Sequence, residues 1–139
     1  MKIMKWLLIG IIIIYVGIVA LFETWLGITQ PRGDNSRTIV ITTTDSSGES
    51  HDRVVTKIEN EGQLYVAVNH WPRMWYWRIL DNPAVKVKIE GVVGDFTAIE
   101  LEGAEYDKIN AVRPLPLTFR ILTGFPPRRM LHLVPREPG

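Results

Sequence analysis

The stretch from Trp6 to Phe22, WLLIGIIIIYVGIVALF, carries no charged residue. As a helix it would rise roughly 26 Å, close to the thickness of a bilayer's hydrocarbon core. Twelve of its residues are Leu, Ile, Val or Phe. At about −0.3 to −0.6 kcal/mol each on the insertion scale, they favour the membrane by roughly 4 to 7 kcal/mol. Trp6 and Trp25 bracket the run as interfacial aromatics do, and Glu23 closes it. A cleaved signal peptide is the competing reading, but the run is long and its nearest approach to a small-x-small cleavage pattern is Ile18-Val19-Ala20. Residues 1–27 are therefore expected to form an uncleaved transmembrane anchor. Lys2, Lys5 and the terminal amine precede the helix and Arg32 and Arg37 follow it, which leans towards a cytoplasmic N terminus and a domain on the other side.

In a chain of 139 residues the remainder suffices for one small domain. The absence of cysteine excludes disulfides, thiolate nucleophiles and cysteine metal sites. A formal net charge of +1 is too balanced for a nucleic-acid partner, because phosphate contact normally leaves a basic domain or stripe. Residues 28–37, with Pro31 and Gly33, read as a linker.

From residue 38 to 139 the pattern is mainly β. Thr38 to Thr44 is β-branched throughout, and Arg53–Glu59 and Gln63–Val68 flank the turn formers Asn60, Glu61 and Gly62, a hairpin signature. Val85, Val87 and Ile89 alternate with Lys86, Lys88 and Glu90, as in a strand with one wet face. Gly91 and Gly94 bound a turn into a strand over Asp95–Leu101, and Arg129–Val134 is the last strand. Three helices are expected: Arg73–Leu80 with Pro72 at its first position, Glu102–Val112, and Leu115–Thr123 closed by Gly124. Short strands with inserted helices suggest an α+β domain built on a small barrel.

Residues Val68 to Pro83, VNHWPRMWYWRILDNP, hold three of the five tryptophans. On a helix, Met74 aligns with Trp77 and Arg78, Trp75 with Arg78 and Ile79, and Tyr76 with Leu80, so the rings point in more than one direction. One face can cover the sheet. The rest must meet a second subunit, the membrane surface or a flat ligand, or pack as a covering helix with partly buried tryptophans.

The triplet Thr42-Thr43-Thr44 before a turn with Gly48, the hairpin, Met74-Trp75-Tyr76, Leu80, Asn82-Pro83 and Val85-x-Val87 together resemble the deazaflavin (F420)-dependent nitroreductase and quinone reductase family. The resemblance covers roughly residues 38 to 106. It implies a split β-barrel, related to the flavin-binding pyridoxamine phosphate oxidase barrels. It further implies F420 or FMN in a groove between barrel and Trp-Tyr helix, with Trp75 as the ring beside it. Thr43 and Thr44 would offer hydroxyls, and Ser46, Ser47 and Gly48 the turn that meets phosphate. Asn69 lies in the shortened loop before the helix, and Tyr76 and His70 are the nearby proton donors. Where the family has glycine and two basic residues after the threonines, this chain has Asp45-Ser46-Ser47, so Arg53, Arg73 and Arg78 are the cations left to meet an acidic cofactor. Relatives of this type pair into homodimers.

Other constellations point to less. His51, His70 and His132 are widely spaced with no cysteine, so no metal site is expected. Asp45-Ser46-Ser47-Gly48 with His51 suggests a hydrolase, yet these are ordinary turn residues. Arg128-Arg129 is expected to be a solvated pair. Two functional readings remain. One is a membrane-anchored oxidoreductase that passes hydride from a deazaflavin or flavin to a lipophilic acceptor such as a quinone. The other is a tethered binding or assembly module that has lost its cofactor, with haem or an empty barrel as further variants.

Overall fold

In the computed structural model, residues 1–29, 36–69 and 71–137 are described. An N-terminal helix α1 (Lys2–Ile28) precedes β1 (Thr38–Thr44), β2 (Ser50–Asn60), β3 (Gln63–Val68), α2 (Met74–Asp81), β4 (Ala84–Ile89), β5 (Val92–Glu100), α3 (Gly103–Val112), α4 (Leu117–Thr123) and β6 (Arg129–Pro135). The six strands close into an antiparallel barrel in the order β1-β2-β3-β6-β5-β4. This is the mainly β, α+β architecture expected from the pattern, with one apolar helix ahead of it. None of α1's residues is buried, and it is long and apolar enough to cross a membrane.

Register follows the alternation of side chains. Ile41 sits between Arg53 on β2 and Val87 on β4. Ile39, Ile41, Val85 and Val87 turn inward and Lys86 and Lys88 outward, as a period of two requires. The core is completed by Val55, Val66, Val68, Leu131 and Leu133 from the other strands and by Trp75, Tyr76 and Ile79 from α2. A second, smaller cluster of Ile58, Tyr65, Leu101, Ile109 and Met130 seats α3 against the barrel.

Several boundaries differ from the sequence expectation, each for a local reason. Helix α2 starts at Met74, and Arg73 is its extended N-cap (φ −99°, ψ 171°), so Pro72 lies outside the helix. The Arg73 carbonyl still accepts from Tyr76 N and Trp77 N, as an N-cap does, while its side chain is held by Glu23 of α1. Helix α4 starts at Leu117 because Leu115 precedes Pro116, and proline disfavours helical geometry in the residue before it. Strand β5 starts at Val92, since the turn before it closes at Glu90 and Gly91 (φ 47° and 86°) and leaves Gly94 inside the strand. Two successive left-handed residues are the geometry of a tight hairpin turn, and Glu61-Gly62 repeats it between β2 and β3 (φ 52° and 74°).

Gly91→Ala puts a Cβ where the left-handed backbone penalises it. The expected cost is about 1 kcal/mol, or roughly 4 to 8 °C in melting temperature for a domain of this size. An unchanged thermal melt of the detergent-solubilised chain would show that the turn does not depend on this conformation.

Candidate functional site

Two adjoining cavities lie where α1 ends, α2 begins and β2 passes beneath them. The first, of about 250 Å³, is lined among others by Leu26 and Thr29, Arg53 and Val55 of β2, Asn69, Trp75, Phe119 and Arg128. The second, of about 340 Å³, is lined by Gly27, His51, Asp52, Arg53, Arg73, Met74, Trp75 and Arg78. Arg53 and Trp75 belong to both, so they form the wall between them. Each volume alone is at or below the low end of the roughly 300 to 1,000 Å³ of a small-molecule site. A cofactor with a ring and an acidic tail would therefore have to use both.

Trp75 reaches this wall because it and Ile79 lie one turn apart on the buried side of α2. It is only 5% exposed, and its indole Nε1 has no hydrogen-bond partner among the described residues. A buried indole N–H normally has one, and leaving it unmatched costs about 1 to 3 kcal/mol. A ligand oxygen or nitrogen in the cavity would supply the missing acceptor.

The cations of the site are partly committed. Arg53 Nη1 donates to the Gly27 carbonyl at 3.3 Å. Arg73 Nη2 donates to the Glu23 carbonyl and, at 3.0 Å, to Glu23 Oε2. Both therefore meet the negative end of the α1 dipole. Burial and then the neighbouring charge of Arg73 pull the Arg53 pKa below its ordinary value. Arg78 lines the second cavity with no ion-pair partner among the described residues.

The turn after β1 is closed on itself. Asp45 Oδ1 accepts from Ser47 N (2.9 Å), Ser47 Oγ (2.6 Å) and Glu49 N (3.0 Å), while Oδ2 meets His51 Nε2 at 2.8 Å. The Ser47 bond, then His51, hold the Asp45 carboxyl well below the usual carboxylate range. Asp45, Glu49 and His51 bring ligand atoms within 4.8 Å of one another, and this internal bonding accounts for the cluster. Thr43 is fully buried and bonded weakly to the His51 carbonyl at 3.4 Å; Ser46, Ser47 and Gly48 are exposed. Neither these four residues nor Thr44 lie on the walls of the two cavities.

Tyr76 points elsewhere as well. It is fully buried, and its hydroxyl donates to Glu100 Oε1 at 2.8 Å, a carboxylate that also receives Arg129 Nη1 at 2.9 Å. Burial, then the bond to Glu100, raise its pKa. His70 lies outside the described residues. Among the residues expected at the site, the cavities gather Arg53, Asn69, Arg73, Trp75 and Arg78. Leu26 and Thr29, Phe119 and Arg128 join them from distant segments, and no local motif marked them. Arg128 is not a solvated residue: it donates to Asn69 Oδ1 (2.8 Å), Asn110 Oδ1 (2.6 Å) and the Arg113 carbonyl (2.6 Å).

All the named wall residues except Phe119 and Arg128 lie in one segment that matches a known family. The model of the F420H(2)-dependent quinone reductase family matches residues 22–114. The chain belongs to this family. The F420-H2 dependent reductase FDR-A is 23% identical over 70% of this chain and 93% of its own, with a TM-score of 0.57. HutZ, a heme storage protein from Vibrio cholerae, is 15% identical over 86% of this chain and 89% of its own, TM-score 0.57. A putative pyridoxamine 5'-phosphate oxidase from Listeria innocua is 14% identical over 89% of this chain and 94% of its own, TM-score 0.52. At these identities the likeness is one of fold, the split β-barrel. No curated protein matches the chain closely enough to count as a relative.

The raised Tyr76 pKa fixes the sign of an alkaline effect. The folded state favours the neutral phenol, so Tyr76 adds stability below the unfolded value of roughly 10, and loses that contribution as pH rises through its higher folded value. Tyr76→Phe should therefore remove one late-titrating phenolate from the ultraviolet absorbance and flatten the alkaline fall in stability. A phenolate count unchanged by the substitution would refute the assignment.

Proposed function

We propose that this protein is a membrane-anchored oxidoreductase that uses reduced F420 to reduce a lipophilic acceptor of the quinone type. The cofactor would lie across the two cavities that meet at Trp75 and Arg53. The observation that carries this reading is the unpartnered Nε1 of a buried Trp75 on the wall shared by both cavities. Family membership supports the cofactor class, and the apolar α1 supports an acceptor drawn from the bilayer.

The residues present fit the two ends of such a cofactor differently. Trp75 offers a ring face and a donor for a carbonyl or ring nitrogen. Arg78, with Arg53 and Arg73, offers positive charge to an acidic tail in the second cavity. The Asp45 turn fits phosphate poorly, because its Ser47 and Glu49 N–H groups already serve a carboxylate of the wrong sign. We therefore assign phosphate to the arginines and not to Thr43, Thr44, Ser46, Ser47 or Gly48.

When bound, a reduced deazaflavin supplies the hydride; the protein's part is to hold two planes in contact and keep water away. Leu26 and Phe119 give the first cavity its apolar wall. Quinone reduction also consumes a proton. The Tyr76 hydroxyl is given to Glu100 and away from the cavities, so His70 remains the donor we propose from this stretch.

A specific observation also favours a tethered module without cofactor. Arg53 already bonds the Gly27 carbonyl of α1, and Arg73 the Glu23 carbonyl and carboxylate, so α1 itself occupies part of their capacity.

Titration of the detergent-solubilised full chain with F420, FMN and haem separates these readings. F420 is expected to bind saturably and quench tryptophan fluorescence. Trp75→Phe and, independently, the half-buried Arg78→Gln should each weaken it about tenfold, a loss of ~1.4 kcal/mol. Arg78→Gln should leave the melting temperature unchanged. Preference for FMN or haem would replace the cofactor, and a folded chain that binds none of the three would establish the module.

A further inference from the structure

Helix α4 lies beyond the family-matched segment and packs along α1 inside the apolar run. Tyr15 Oη donates to the Ile121 carbonyl at 2.9 Å, and Phe22 meets Phe119 edge-on at 5.8 Å between ring centroids. At the end of α4, a Cβ on Gly124 would lie 3.1 Å from Val19 Cγ1. The seam therefore runs along α1 from Phe22 back to Tyr15, seven residues or roughly 10 Å of helix rise. If residues 6 to 22 cross a bilayer, whatever touches Tyr15 sits about that far inside the hydrocarbon edge.

The free side of α4 suits that place. Leu117, Ile121 and Phe125 are 62%, 43% and 49% exposed. The one charge on the helix, Arg120, lays its guanidinium over the Phe125 ring, 5.5 Å from the centroid, as a snorkelling side chain can. Trp71 donates its indole N–H to the Thr123 carbonyl at 2.7 Å and is itself 45% exposed, an amphipathic ring beside the α4 C terminus. Seven residues are too few to span a bilayer, but interfacial helices bury an apolar face about 5 to 10 Å deep, which agrees with the depth set by Tyr15.

We propose that α4, with Phe125 and Trp71, is a second membrane contact: it lies in the bilayer interface beside α1 and fixes the barrel's tilt on the membrane. The occupant of this face is lipid, because α4 shares its seam with a helix segment that must itself be solvated by acyl chains. The inference rests on α1 being a membrane anchor. It also deepens the substrate assignment. Leu26 and Phe119 belong both to the first cavity's wall and to the α1–α4 region, so docking would set that wall at the bilayer, where a lipophilic acceptor is dissolved.

The chain has no cysteine, so single cysteines can be spin-labelled without background in the full chain reconstituted into phosphatidylcholine–phosphatidylglycerol vesicles. Ile11→Cys reports α1, Leu117→Cys and Phe125→Cys report α4, and the exposed Glu102→Cys reports a water-facing position. Accessibility to oxygen relative to a water-soluble nickel chelate is expected to be several-fold higher at Leu117 and Phe125 than at Glu102, and to approach that at Ile11. All four positions are exposed, so folding should survive each substitution, which a circular dichroism melt checks. Aqueous values at both α4 positions with a lipid value at Ile11 would overturn the α4 contact and leave the anchor standing. An aqueous value at Ile11 would overturn both. Spin–spin broadening at Leu117 or Phe125, with neither reagent reaching the label, would identify a second copy in place of lipid.

Discussion

The last turn of a helix leaves carbonyl groups without intrahelical partners, and in this protein the barrel meets part of that demand. Arg53 from β2 donates to the Gly27 carbonyl, one of that set, and Arg73 from the start of α2 reaches Glu23 one turn earlier, at its carbonyl and carboxylate. These contacts tie the end of α1 to the barrel and bring Leu26 and Thr29 to the wall of the first cavity and Gly27 to that of the second.

Charge is distributed unevenly around these cavities. The turn after the threonine triplet has an aspartate that saturates itself on Ser47, Glu49 and His51. A carboxylate so well served is stiff and negative, and it repels the anions that a basic turn would attract. Positive charge appears instead on Arg53, Arg73 and Arg78 around the second cavity, whose wall also includes His51, the partner of Asp45. Two of these arginines also bond the end of α1. If the cavity binds an anion through Arg53 or Arg73, ligand affinity and the position of the α1 end are coupled by linkage.

The barrel was legible because its signals are local. β-branched runs, the Val-Lys alternation of β4 and the Glu-Gly turns each carry their own geometry, and the strands fell within a few residues of where these patterns put them. Boundaries moved where a neighbouring group intervened, as Pro116 did at Leu115. The site was legible in part. Trp75, Arg53, Arg73, Arg78 and Asn69 gather as their chemistry suggests, because a short aromatic helix over a barrel can only face the strands beneath it. Tyr76 does not join them, since one residue along a helix rotates a side chain by about 100°, enough to carry its hydroxyl to Glu100. Leu26, Phe119 and Arg128 could not be read at all. They lie at the two ends of the chain, and only barrel closure brings those ends together.

The same closure explains why α4 needs a reason to be apolar on its free side. A helix that only connects α3 to β6 could be polar outward at no cost, since its own packing needs just Phe119, Thr123 and neighbouring side chains. Leaving Leu117, Ile121 and Phe125 exposed to water would forfeit roughly 25 cal/mol for every Å² of apolar surface. Contiguous with the apolar flank of α1, that surface costs nothing if both lie in the same medium. The hydrogen bond from Tyr15 to the Ile121 carbonyl follows the same logic. If α1 crosses a membrane, a tyrosine hydroxyl in its middle needs an acceptor, and the Ile121 carbonyl supplies one while α4 packs beside it.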